Sequence, residues 1–118
     1  MIPPDRYRAS IIESLWILAS RRIQLEYQER VPFVPVQVEI FSQWEDLYYP
    51  SVQAFEVAFS EEERACLAAF EKLIAEVCAQ EIDFPSLDDY QSSSICQRVS
   101  AAALETLAFL GEPTIDAG

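Results

Sequence analysis

The sequence predicts a mostly all-α fold, a small single-domain bundle of about four helices. Three observations carry this reading. Apolar residues recur at helical spacing in several long stretches. Ser60-Glu61-Glu62-Glu63 reads as a capping box at the start of one of them. The two glycines are Gly111 and Gly118, so residues 1–110 contain none, which disfavours glycine-turn hairpins and glycine-cradled phosphate loops alike. The length, 118 residues, suits one domain, and 51% apolar residues suffice for a core without metal or disulfide staples.

Pro3-Pro4-Asp5 opens the first helix, with Asp5 suited to the positive end of the helix dipole. Tyr7, Ile11, Ile12, Leu15, Leu18 and Ala19 form its apolar stripe, Trp16 widens it, and the helix stops near Ser20. Residues 22–28 then alternate polar and apolar, which is a strand signature, although a continued helix also fits. Pro32 and Pro35 bracket a loop, and Pro35 suits the first turn of a second helix bearing Val38, Phe41, Trp44, Leu47 and Tyr48. Val36, Val38 and Ile40 alternate as well, so a minor two-stranded element from 22–28 and 36–40 stands as the alternative. Pro50 ends this segment, and residues 51–59 read as a connector packed on the core.

The third helix starts at Ser60 and carries Cys66, Leu67, Phe70, Leu73, Ile74, Val77 and Cys78 to about Gln80. Residues 83–94 form a polar loop with one short turn at 86–90. The last helix spans 93–110, buries Ile95, Val99, Ala103, Leu107 and Leu110, and meets Gly111 where a C′ glycine belongs; Pro113 prevents continuation. The domain is therefore 1–111, with 112–118 a short flexible tail.

Charge is the most unusual property. Twenty Asp and Glu face eight Lys and Arg with no histidine, a net of -12. Residues 1–30 carry +1 and residues 31–118 carry -13. Such an excess works against compaction and suits either solubility or a basic partner. It also argues against nucleic acid as a direct ligand, since phosphate would be repelled.

Catalytic classes fall away by residue type. The absence of histidine removes Ser-His-Asp triads, Cys-His pairs and His-ligated zinc, and no Cys-x-x-Cys is present. Lys72, the single lysine, sits between Glu71 and Leu73 on a charged face that would not activate it. Glu61 to Glu63 are explained by the helix dipole. Asp83, Asp88 and Asp89 lack the spacing and glycine of a calcium loop. Cys66, Cys78 and Cys96 read as small buried thiols, and Cys96, near a helix start, has no base partner. The expectation is a protein that is not an enzyme and holds no metal or cofactor.

No apolar run reaches the length of a membrane span and no cationic leader precedes an apolar one, so a cytoplasmic protein is expected. The expected function is an acidic protein-binding module, an inhibitor or immunity-type protein that occludes a basic partner such as a nuclease toxin. The alternative is a structural or assembly subunit, a homodimer. The expected interface is Trp44, Glu45, Asp46, Tyr48 and Tyr49, which mix amphipathic rings with acids, joined by Asp83, Asp88 and Asp89. Arginines of the first helix serve as an internal counterweight.

Overall fold

Tyr7, Ile11, Leu15 and Leu18 share one side of a helix, and that side organises the molecule. In the computed structural model, which describes residues 3–112, this helix is α1 (Pro4–Ala19). It is followed by α2 (Arg21–Arg30), α3 (Val36–Leu47), α4 (Gln53–Ala58), α5 (Glu61–Ala79), α6 (Leu87–Gln91) and α7 (Ser94–Phe109). Ile11, Leu15 and Leu18 are fully buried, where α1 packs on α7, α3, α4 and α2. α5 packs on α7, and α6 joins α7 to α3.

The all-α expectation holds, but with seven helices among the described residues rather than about four. Ser20 divides the first stretch: it ends α1 through its N–H to Trp16 O, and its hydroxyl accepts the Ile23 N–H at 3.2 Å to start α2. The short helices α4 and α6 replace the connector at 51–59 and the turn at 86–90. Of the expected domain at 1–111, residues 1–2 lie outside the described residues. Of the expected tail at 112–118, residues 113–118 lie outside the described residues.

The strand alternative is corrected: 22–28 belongs to α2 and 36–40 to α3, with no strand among the described residues. In the first case the alternation is incidental. Ile23 and Tyr27, four apart, turn partly inward, while Leu25 between them is 49% exposed. Gln24, fully buried, donates to Ile17 O at 2.7 Å and accepts from Gln91 Nε2 at 3.0 Å, which binds α2 to α1 and α6. In the second case Val36, Ile40 and Trp44 are buried at i, i+4 and i+8, and Val38 faces out. The side of α3 that faces the core is thus set by Val36 rather than Val38.

Two helix ends follow clear sequence signals, and one departs from the usual glycine end. Ser60 and Glu63 form the expected capping box. Gly111 takes φ +80, and its N–H and that of Glu112 bond to Ala108 O and Leu107 O, the Schellman pattern. The exception is α5, which ends on Glu81 at φ 52, a left-handed residue that is not glycine.

Glu63 does more than cap. Arg8 reaches it from α1 with two contacts of 3.0 Å and also donates to Ala58 O at 3.0 Å and Leu110 O at 3.2 Å. Its guanidinium lies 5.1 Å from the centre of the Phe59 ring. One side chain therefore clamps α1 to the ends of α4 and α7 and the start of α5. With the exposed pair Arg22–Glu26, it makes two ion pairs among the described residues. The expected counterweight to the acidic remainder is thus visible at Arg8, whereas Arg22 pairs with Glu26 inside α2.

Candidate functional site

The expected interface does not form one surface. Trp44 is fully buried: its indole N–H donates to Glu71 Oε2 at 2.9 Å, Phe70 meets it edge-on and Tyr48 stacks on it. It is a core residue, because a stripe through Val36 and Ile40 carries position 44 inward. Tyr48 is half-buried, also edge-on to Phe55. Tyr49 is 53% exposed and belongs to a different region, and Asp46 is exposed, about 100° around α3 from Glu45. Asp89 accepts from the Ser86 hydroxyl at 2.9 Å, a contact that serves the start of α6.

Glu45 and Asp88, by contrast, line two depressions that adjoin on the outer side of α3. The first, about 210 Å³, lies between α3 and the end of α5, with Val38, Phe41, Glu45, Cys78, Glu81 and Ile82 around it. The second, about 470 Å³, is walled by Leu25, the loop at Phe33 and the segment Pro85–Asp88. Gln37 belongs to both depressions and donates from Nε2 to Phe84 O at 3.0 Å, bridging α3 to the chain between α5 and α6. Exposed Asp83 precedes Phe84 in that stretch.

This region concentrates exposed apolar groups: Leu25, Phe33, Val38 and Ile82 are 49%, 89%, 51% and 47% exposed. Phe33 is held on a stiff support. Gln28 donates to Val31 O and Val34 O at 3.0 and 2.7 Å and accepts the Val36 N–H at 3.4 Å, and Pro32 and Pro35 flank the turn. The lining of both depressions includes carboxylates and no Lys or Arg.

A third concavity, about 580 Å³, lies between the start of α1 and α4. Tyr7, Tyr49, Val52 and Val57 line it, and it holds no carboxylate or cation. Tyr7 ties its floor together by donating to Leu47 O and accepting the Tyr49 N–H at 2.9 Å. Burial pushes the Tyr7 and Tyr48 hydroxyls above their ordinary pKa.

The cysteines divide. Cys96 is fully buried, Cys66 half-buried and Cys78 exposed, which corrects the expectation of three buried thiols. Cys78 sits in the first depression and donates to Glu45 Oε1 at 3.2 Å. Partial burial, then Glu45 and Glu71, push its thiol up to about 11, the reverse of an activated nucleophile. No group of three or more Cys, Asp and Glu among the described residues is placed to hold a metal ion. No helix among them is long and apolar enough to cross a membrane.

No protein-family model matches the chain, and no curated protein or solved structure matches it. The functional reading therefore rests on the residues themselves. Those missed in the sequence are Phe33, Leu25, Gln37, Glu81 and Ile82. Phe33 carried a usable signal, an aromatic inside Pro32–Pro35 where no helical stripe could bury it.

Proposed function

We propose that this chain is an acidic protein-binding module, of the inhibitor or immunity type, that occludes a basic partner such as a nuclease toxin. The observation that carries this reading is the outer side of α3. There, Glu45, Glu81 and Asp88 border concave surface together with exposed Leu25, Phe33, Val38 and Ile82, and no cation lines it. Interfaces favour apolar and aromatic contact at the centre with charge that complements the partner. The wider charge supports it too: residues 31–118 carry -13, and the clamp through Arg8 neutralises only Glu63. Affinity purification from the native source with mass spectrometry tests the reading. The expected catch is a basic protein whose activity is inhibited in the reconstituted complex; an acidic catch, or a bound partner that stays fully active, counts against it.

A second reading has its own observation. The concavity between α1 and α4 is apolar, and Tyr49, Val52 and Val57 beside it are 53%, 40% and 63% exposed, which suits a structural subunit that associates with itself. Light scattering at rising concentration separates the two: a strict monomer removes the assembly reading.

A further inference from the structure

The carboxylate of Glu81 sits where local energetics disfavour it twice. Its backbone is at φ 52, where glycine carries no Cβ penalty. It also follows the C-terminus of a 19-residue helix, the negative end of the dipole, and α5 has no basic residue in its last turn. Glycine here would suit the fold better, as Gly111 shows at the end of α7. Glu81 lines the first depression beside Glu45 and Ile82.

Two further observations point the same way. Gln37, shared by both depressions, is 7% exposed, and its Oε1 has no hydrogen-bond donor among the described residues. Phe33, at the far end, is 89% exposed on a support pinned by Gln28, which donates to Val31 O and Val34 O and accepts the Val36 N–H. A backbone already fixed beneath an exposed aromatic lowers the loop-ordering part of the penalty when that ring is covered by a partner. From Pro35 to Glu45 the outer side of α3 extends about 15 Å, three helical turns.

Building on the binding-module reading, we infer that this groove across α3 seats one basic amphipathic segment of the partner chain. Its apolar side chains lie against Phe33, Val38 and Ile82, and its Lys and Arg groups meet Glu45, Glu81 and Asp88. Charge complementarity decides the occupant. A second copy of this chain would bring its own excess of acid, whereas a cationic segment relieves it. The apolar walls call for more than a point charge, so a simple polycation is a poorer fit than a segment with one apolar side.

The test uses a synthetic peptide of about 18 residues, Leu at helical spacing and Lys elsewhere, added to the isotope-labelled protein at about 0.01 M salt, where screening is weak. Amide shifts are expected to concentrate at residues 33–45 and 81–88. Phe33→Ala should weaken binding about tenfold, as for an anchor residue. Glu81→Gly should weaken it about threefold while raising the melting temperature by roughly 2–4 °C, a pairing that a structural role for Glu81 would not produce. Both positions are at the surface, and circular dichroism checks that the fold is kept. Shifts centred on Tyr49 and Val57, or wild-type affinity in both variants, overturn the groove while leaving the binding-module reading intact. Equal binding of a control peptide with Glu in place of Lys also overturns it. Lack of saturable binding at about 1 mM peptide overturns the groove and the acidic-module reading together.

Discussion

Replacing Arg8 by Met tests the clamp that fixes α1 against the rest of the bundle. Methionine keeps most of the aliphatic stem and loses the guanidinium. The loss comprises the bidentate contact with Glu63 and the bonds to Ala58 O and Leu110 O. A hydrogen bond to a charged group contributes about 1.5–3 kcal/mol. Here the paired side chains are 29% and 19% exposed, so water recovers part of that. We expect a net loss of about 3 kcal/mol, read as a lower urea midpoint at unchanged slope. The melting temperature should fall by roughly 10 °C. Glu63→Gln keeps a hydrogen-bonding side chain and should cost about 1 kcal/mol. A loss below about 0.5 kcal/mol in Arg8→Met would mean that Arg8 behaves as an ordinary exposed pair and does not clamp α1, because exposed pairs contribute that little.

Four further outcomes follow. The Arg8 guanidinium beside Glu63 holds that carboxyl below its ordinary value of 4.5, so its contribution is present above that pH and lost as pH falls through the lowered folded value; acid titration of stability should be flatter below pH 4.5 in Glu63→Gln. Trp44→Ala removes a fully buried ring and its bond to Glu71 and should destabilise by about 3–5 kcal/mol, whereas Tyr49→Ala should stay within about 0.5 kcal/mol in equilibrium unfolding. Cys78, with its thiol pushed up to about 11, should alkylate slowly at pH 8 despite its exposure, and Glu45→Gln should speed the reaction. Gly111→Ala meets no atom within 4 Å but keeps φ +80, so it should cost about 1 kcal/mol by strain alone, measured by urea unfolding.

The helices most legible in the sequence were those with local chemical signals. Ser60 with Glu63 starts α5, and Gly111 ends α7. The stripe of Tyr7, Ile11, Leu15 and Leu18 locates α1, the element that touches most of the others. What misled was short-range alternation at 22–28 and 36–40. Over five to seven residues a period of two and a period of 3.6 share enough positions that only tertiary packing separates them. Trp44 was misplaced for a different reason: it already lay on the expected apolar stripe with Phe41 and Leu47, but its place in a run of rings and acids up to Tyr49 marked it as interface, whereas its ring is fully buried. The groove itself joins residues up to 63 positions apart, from Leu25 to Asp88, and depends on how α3 meets the chain after α5. Such a meeting has no local signature. Charge carried over in part: of the five acids expected at an interface, Glu45 and Asp88 line the depressions while Asp46, Asp83 and Asp89 do not. Asp88 and Asp89 stand in the first turn of α6, a helix where the sequence predicts only a short turn.

We propose that acid on the α3 side draws in a basic partner. The association rate with the recovered partner, followed by stopped flow as salt is raised, addresses it most directly. Electrostatic steering predicts a rate that falls steeply, by tenfold or more between about 0.01 and 0.15 M salt, as the Debye length shrinks from ~30 to ~8 Å. It further predicts that Glu45→Gln combined with Asp88→Asn flattens the dependence. An association rate independent of salt would mean that the acid on the α3 side does not steer the partner.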